Sequence, residues 1–351
     1  QNFGKTSNRG IELSVNVDVI NKGDFRFNVG AIYNYNRNKL DELPNADQYL
    51  YSSYWGSSSL VPTNDYMFVE GKAIGLVRGF ISEGYYTVDD FNYTNGQYVL
   101  KEGVPDITKA LTATYMHPYD LPAGQTAFPG AAKFRDVDES GTVDLDDATC
   151  LGEVMPRHTG SFQLNFNYKN FDLSTNFNWT AGGKVYNVAA MINASGQEFD
   201  GIGAQRASWV ADAFKVYNVN AAGDLYAVTN PDELRALNAN AKYHLPYHQS
   251  GITSSEWLEN GSYLRLQTLT LGYTLPKNWL TKVHVDKIRL YLTATNLFTI
   301  TGYSGIDPEV NANPTGQSGF YSDLRIFPTL NMDFGTYPRA RTFTFGANIT
   351  F

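Results

Sequence analysis

Apolar and polar residues alternate with a period of two along several stretches of this chain. Ile11, Leu13, Val15, Val17 and Val19 share one parity, with Glu12, Ser14, Asn16 and Asp18 between them. After the turn Asn21-Lys22-Gly23-Asp24, Phe25, Phe27, Val29, Ala31, Tyr33 and Tyr35 form a second apolar row, opposed by Arg26, Asn28, Gly30 and Asn34. Because successive side chains of a strand point to opposite faces, this is a hairpin with one greasy and one polar side. Phe162 to Tyr168 and Phe171 to Trp179, joined by Lys169-Asn170, repeat the plan. A third pair runs from Tyr263 to Leu275 and from Ile288 to Phe298. Its first member changes parity between Leu266 and Leu269, which predicts a bulge near Gln267 or Thr268. A last strand is expected over Pro338 to Phe351, with Phe343, Phe345, Ala347, Ile349 and Phe351 on one face.

About ten residues is the length one tilted strand needs to cross a bilayer. The polar faces hold mostly Asn, Ser, Thr and Gln, as in a water-filled or plugged lumen, where a soluble sheet would present Lys, Glu and Arg. Between the hairpins lie long segments, Asn36 to about Asp65, Val88 to His158, Ala181 to Glu259 and Thr299 to Tyr337, rich in Gly, Asn, Asp, Ser and Tyr. Short turns at one end and long loops at the other are the asymmetry of outer-membrane barrels, with the short turns periplasmic. The fold class expected is all-β: part of a large transmembrane antiparallel β-barrel with long extracellular loops, in which about eight to ten strands can be placed. One loop is expected to hold a helix over Pro231–Leu237, capped by Asn230 with proline in the first turn.

Composition agrees with that reading. Mean hydropathy is −0.33 and no run of 18 apolar residues occurs, which leaves a barrel open because its strands are apolar only at alternate positions. The 24 Tyr and 21 Phe suit interfacial girdles. A net charge of −8 without a basic cluster argues against nucleic acid, whose phosphates demand Lys/Arg patches. The single Cys150 excludes an intrachain disulfide and is expected to be structural. No signal peptide is visible after Gln1.

The sharpest chemical motif is the acidic loop 136–147. Asp136, Asp138, Ser140, Asp144 and Asp147 stand at the side-chain ligand positions of an EF-hand-type loop, with Thr142 supplying a carbonyl, Gly141 the sharp turn and Val143 the apolar anchor. Such spacing wraps hard oxygen donors around Ca2+ or Mg2+, here expected to be structural. Asp147 stands where Glu is usual, which shortens its reach. A solvated acidic turn is the alternative. His244 and His248 are four apart, but Pro246 between them and the lack of a following Glu break the zinc-protease pattern. His117, His158 and His284 are scattered, and no nucleophile–base pairing or phosphate loop stands out, so no enzyme activity is expected. Loop aromatics (Tyr49, Tyr51, Tyr54, Trp55, Tyr66, Tyr85, Tyr86, Trp209 and Trp257) suit either a ligand vestibule or packing. Tyr54, Trp55, Tyr85, Tyr86, Trp209 and Trp257 are the candidate ligand contacts.

Four stretches together resemble the carboxy-terminal half of the SusC/RagA-type TonB-dependent transporters. They are Asn8-Arg9-Gly10-Ile11-Glu12-Leu13-Ser14; Glu70 to Gly75 with Gly79-Phe80 and Glu83-Gly84-Tyr85; Pro129-Gly130 and Lys133-Phe134-Arg135-Asp136 through the acidic loop to Leu151-Gly152 and Asn170-Phe171-Asp172-Leu173; and Ser262 to Leu266, Asn296-Leu297-Phe298, Asp307-Pro308-Glu309 and Tyr337-Pro338-Arg339-Ala340-Arg341-Thr342-Phe343. The resemblance implies an outer-membrane barrel of roughly 22 strands in a Gram-negative bacterium, plugged by an amino-terminal domain. It also implies a SusD-like surface lipoprotein as lid, TonB as energy source, and glycan or peptide oligomers as cargo. Residues 1–351 are then expected to be the carboxy-terminal segment of such a barrel, with plug and first strands preceding Gln1. A passive porin, a barrel adhesin and a secreted β-rich carbohydrate-binding protein are the alternatives.

Overall fold

A computed structural model describes residues 4–44, 47–53, 60–112, 117–195, 207–246, 251–281, 285–310 and 330–351. Its frame is one sheet of seven strands. These are β1 (Lys5–Lys22), β2 (Phe25–Glu42), β3 (His158–Tyr168), β4 (Phe171–Ala181), β5 (Tyr263–Thr274), β6 (Lys287–Thr301) and β7 (Thr342–Thr350). Each pairs antiparallel with its neighbour in sequence, so the sheet is an uninterrupted meander.

At one end the connections are tight. Gly23-Asp24 joins β1 to β2, and Lys169-Asn170 joins β3 to β4. Gly23 and Lys169 both take a left-handed backbone, φ 58° and 51°, which lets a two-residue turn match the twist of its strands. Between β5 and β6 the connection carries a short helix, Lys277–Leu280. The other end bears the long insertions.

Three expectations are corrected. The sheet has seven strands, fewer than eight to ten, because the other strands are short and belong to the insertions. β1 and β2 each span 18 residues, well beyond the roughly ten that one membrane crossing needs. The last strand begins at Thr342 rather than Pro338, since the proline has no N–H for the ladder. The expected bulge lies at Gln267: Leu266 faces Phe177 and Thr268 faces Asn176, leaving Gln267 as the extra residue. A second bulge at Val19, between Asp18 and Ile20, ends the alternation earlier than its sequence suggests.

Burial is inverted relative to a soluble sheet. Leu13 is 56% exposed, Val15 55% and Phe345 74%. Aromatic pairs mark both borders of this greasy band. Phe25 packs edge-on against Tyr168 and Phe171 lies 4.6 Å from Tyr273 near the tight turns, while Tyr33 stacks with Trp179 and its hydroxyl shares a 2.8 Å hydrogen bond with His158 Nδ1 on the opposite side. From Phe25 to Tyr35 a strand tilted as in outer-membrane barrels climbs roughly 25 Å, the height of their apolar band.

The opposite face pairs its polar groups sideways. Asn28 Nδ2 donates to Asn16 Oδ1 at 2.7 Å, Ser174 Oγ to Asn165 Oδ1 at 2.7 Å, and Asn178 Nδ2 to Gln267 Oε1 at 2.6 Å. Arg289 clasps Asp172 through Nε at 2.9 Å and Nη2 at 2.5 Å. Amides that satisfy one another can line a wet interior without strongly attracting ions of either sign.

The buried cores sit in the insertions. One gathers Phe80, Tyr86, Tyr98, Phe128, Phe214 and Leu234; the other, at the rim, gathers Leu40, Tyr66, Tyr186, Met191, Trp257 and Met332. The helix α1 (Pro231–Leu237) supplies Leu234 to the first, and Asn230 caps it by accepting from the N–H groups of Asp232 and Glu233. The long loops are therefore a packed platform.

Candidate functional site

The acidic loop leaves the platform between two paired segments. Ala132–Phe134 pairs with Ser82–Tyr85 before it, and Thr149–Glu153 pairs with Leu76–Gly79 after it. Midway, Thr142–Val143 lies parallel to Asp106–Ile107, and Val143 is fully buried in the first core. The loop is thus nailed down at its apolar position while Asp136 and Asp138 keep access to the surface.

Backbone N–H groups aim those carboxylates. Asp136 accepts from Ser140 N at 3.1 Å and Gly141 N at 2.7 Å, and Asp138 accepts from Ser140 N at 3.0 Å. Glu139 and Gly141 both have positive φ, 58° and 86°, which folds the chain back sharply enough for this. Asp147 is buried and bridges the two ends of the loop, accepting from Val137 N at 2.5 Å and Asp144 N at 2.8 Å. Oxygens of Asp136, Asp138 and Asp147 come within 4.8 Å of one another. Among the described residues no Lys or Arg forms an ion pair with them. Bonds from Ser140 hold the Asp138 carboxyl below its usual range.

Three of the four expected carboxylate ligands converge in this geometry. Asp144 instead accepts from Asp146 N at 2.8 Å, capping the turn Leu145–Asp147, and Ser140 Oγ donates to the Thr142 carbonyl at 3.0 Å. An all-oxygen set with unpaired negative charge fits a hard divalent cation.

The candidate ligand aromatics fare differently. Tyr86, Trp209 and Trp257 are buried, which corrects their assignment as ligand contacts. Tyr86 donates its hydroxyl to Pro105 O at 2.6 Å, and Trp209 stacks on Tyr243 at 4.2 Å and on Trp257 at 5.6 Å. Their area is spent on core packing, where rings contribute most. Tyr85 is half-buried, its hydroxyl bonded to Ala241 O at 3.1 Å. Tyr54 and Trp55 lie outside the described residues. His248 and His284 do as well. His244 is enclosed beside Trp209, with Nδ1 2.8 Å from Leu245 O, and burial lowers its pKa to about 4, so it is a neutral core residue. Cys150 is a free thiol that desolvation keeps protonated.

Two arrangements carry no sequence signal of their own. Asp65 is wholly buried, accepts from Ser53 N at 2.8 Å and Ser53 Oγ at 2.5 Å, and is pushed up to about 7 by desolvation. Arg265, Asp307, Glu309 and Arg339, from three separate segments of the fourth motif stretch, form one ion-pair network at the rim. Only their shared presence among the motifs hinted that they belong together.

No family model matches the chain. Among curated proteins it is 29% identical to TonB-dependent receptor P3 of Formosa agariphila over 352 residues, covering 100% of this chain and 29% of that protein. It is 24% identical to TonB-dependent receptor SusC of Bacteroides thetaiotaomicron, covering 100% of this chain and 27% of the relative. Among solved structures it superposes on the RagAB peptide transporter with a TM-score of 0.60 at 19% identity, covering 99% of this chain and 29% of that one. The closed-closed state of the RagAB peptide importer gives 0.61 at 20% identity. The chain spans under a third of the length of these relatives. It resembles SusC/RagA-type TonB-dependent proteins over its whole length, and its fold superposes on part of the RagAB transporter. The relatives are receptors and transporters rather than enzymes, in agreement with the expectation of a non-catalytic chain.

Proposed function

We propose that this chain is wall and outer vestibule of an outer-membrane, TonB-dependent importer. The observation that carries the reading is the seven-stranded meander, whose one face is an exposed apolar band between aromatic borders and whose other is a self-satisfied amide lining. Lipid on the first face and a watery or plugged lumen on the second is the arrangement that leaves neither face unsatisfied. The packed insertions then stand outside the cell as a stable platform on which a SusD-like lipoprotein lid could seat. The cargo class is an oligomer rich in hydrogen-bonding groups, glycan or peptide; the name of the RagAB peptide transporter favours peptide for that relative. TonB would act through parts of the protein outside this chain.

Within the platform, Asp136, Asp138 and Asp147 would hold one Ca2+ or Mg2+ as a staple, with Ser140, Thr142 and Asp144 completing the shell. The cation would neutralise three converging carboxylates and fix the segment between Ala132–Phe134 and Thr149–Glu153.

Uptake by cells expressing the full-length protein tests the transport reading. Labelled peptide and glycan oligomers should enter only with TonB and the lipoprotein present. Uptake that persists without TonB would favour a passive porin, and a folded, detergent-free soluble monomer would sink the barrel altogether.

A further inference from the structure

The apolar faces of β1 and β2 do not end in neutral polar residues at the platform end. Ile11 is followed on its face by Arg9, and Tyr35 by Arg37 and then Lys39. Arg9 and Arg37 stand directly opposite one another in the ladder. Like charges in direct register destabilise a strand pair unless something of opposite sign lies between them. Among the described residues neither arginine has a carboxylate within 4.0 Å, and neither does Lys72.

Arg37, Lys39, Lys72, Glu153 and Arg157 line a cleft of about 220 Å3. Glu153 is already bonded to Arg157 at 2.6 Å, and Lys39 to Asp41 at 3.3 Å. The uncompensated charge is therefore that of Arg9, Arg37 and Lys72. Its depth is set by its neighbours. The patch begins one step beyond Tyr35 and His158, the aromatic border of the apolar band on the platform side, and Arg9 and Arg37 share the parity of the exposed apolar face. That is where the headgroups of the outer leaflet would lie.

We infer that Arg9, Arg37 and Lys72 form a site for a phosphorylated lipid headgroup of the outer leaflet, held against the barrel's outer wall. Guanidinium groups take phosphate oxygens in bidentate fashion, and a lysine adds a point charge, so Arg37 and Lys72 lining one cleft, with Arg9 opposite Arg37 across the ladder, suit a phosphate monoester. The proposal rests on the membrane reading above, since only a bilayer at the apolar band brings a headgroup to this height.

The test uses the full-length protein inserted into phosphatidylcholine bilayers doped with bisphosphorylated lipid A. Lipid A retained per protein is counted after mild detergent extraction. Wild type should retain it, and Arg37→Glu with Lys72→Glu should retain on the order of tenfold less, given the attraction of each cation to an anionic surface. Arg37→Lys should fall between them. Dephosphorylated lipid A retained as well as the parent, or inorganic phosphate displacing the lipid at equal concentration, would overturn the headgroup assignment. If wild type and the charge-reversal variant insert alike and retain lipid A alike, the site alone fails. If wild type does not insert at all, the membrane reading fails first and the site falls with it.

Discussion

The guanidinium of Arg265 lies 2.5 Å from Asp307 Oδ1 and 2.7 Å from Glu309 Oε2, and Arg265 is only 2% exposed. Its Nε donates to Thr299 Oγ1 at 3.0 Å, and its plane lies over the Tyr263 ring. Arg339 closes the network from the approach to β7, reaching Glu309 Oε1 at 3.0 Å. One buried cation thus ties the wall strand β5 to the insertion after β6.

Removing that cation leaves the buried Asp307 only the longer contact to Arg339, 3.6 Å, and the Glu309 N–H. Arg265→Ala is expected to cost about 3–5 kcal/mol at the rim. Amide exchange of Tyr303–Val310 in the full-length protein should speed up while that of β3 and β4 stays unchanged. Arg265→Lys should recover part of the loss only, because an ammonium cannot span both carboxylates as a planar fork does. Unchanged exchange in Arg265→Ala would refute the tie.

Asp65 makes the platform sensitive to pH. Its folded pKa, about 7, exceeds the ordinary carboxylate value because burial disfavours the charge more than the Ser53 bonds favour it. Between about pH 4 and pH 7 the folded state holds a proton that the unfolded state has lost. Stability from this group is full below pH 4 and is lost as pH rises through 7. Asp65→Asn should flatten that slope by on the order of a few kcal/mol, measured as platform unfolding across the range. A slope identical to wild type would contradict the assignment.

If the acidic loop holds a cation, Ca2+ at about one hundred times its Kd should stabilise the platform by about 2.7 kcal/mol. Asp136→Ala with Asp144→Ala should abolish the gain, and Asp147→Asn should weaken it while preserving much of the bonding to Val137 and Asp144. Thermal unfolding with Ca2+, Mg2+ or chelator reads this out. Equal melting in all three conditions for wild type would remove the metal from the account.

The two faces of the sheet should differ in their tolerance of charge. Val15→Arg places a cation at mid-height of the apolar band and is expected to cost roughly 2–4 kcal/mol, lowering the yield of heat-modifiable barrel. Asn16→Arg, one residue on, faces the lining and should assemble nearly normally. Equal loss from both would mean that the band does not meet lipid.

The wall was legible because its information is local. A strand between lipid and water shows its two faces at every second residue, so the alternation over Ile11–Val17, Phe162–Tyr168 and Phe343–Phe351 names strand and orientation together. Even the bulge at Gln267 left a mark, a change of parity between Leu266 and Leu269. The acidic loop was equally readable, since its donors are spaced within 12 residues. The helix over Pro231–Leu237 announced itself through Asn230 and proline.

The platform was not legible, for the opposite reason. Its cores join residues far apart in the chain, such as Tyr66 with Tyr186 and Met332, or Tyr98 with Phe128 and Leu234. Polar, glycine-rich segments hide such contacts because no period precedes them. Tyr86, Trp209 and Trp257 therefore read equally well as ligand surface or as packing, and only tertiary contacts made them packing. Local patterning, then, determined by itself the strands, their faces and the acidic loop. Tertiary structure decided what those patterns meet: which aromatics are buried, that Arg265, Asp307, Glu309 and Arg339 converge, and that Arg37, opposed to Arg9, shares a cleft with Lys72. Charge and burial at those places are properties of neighbours brought together by folding, and no single stretch of chain contains them.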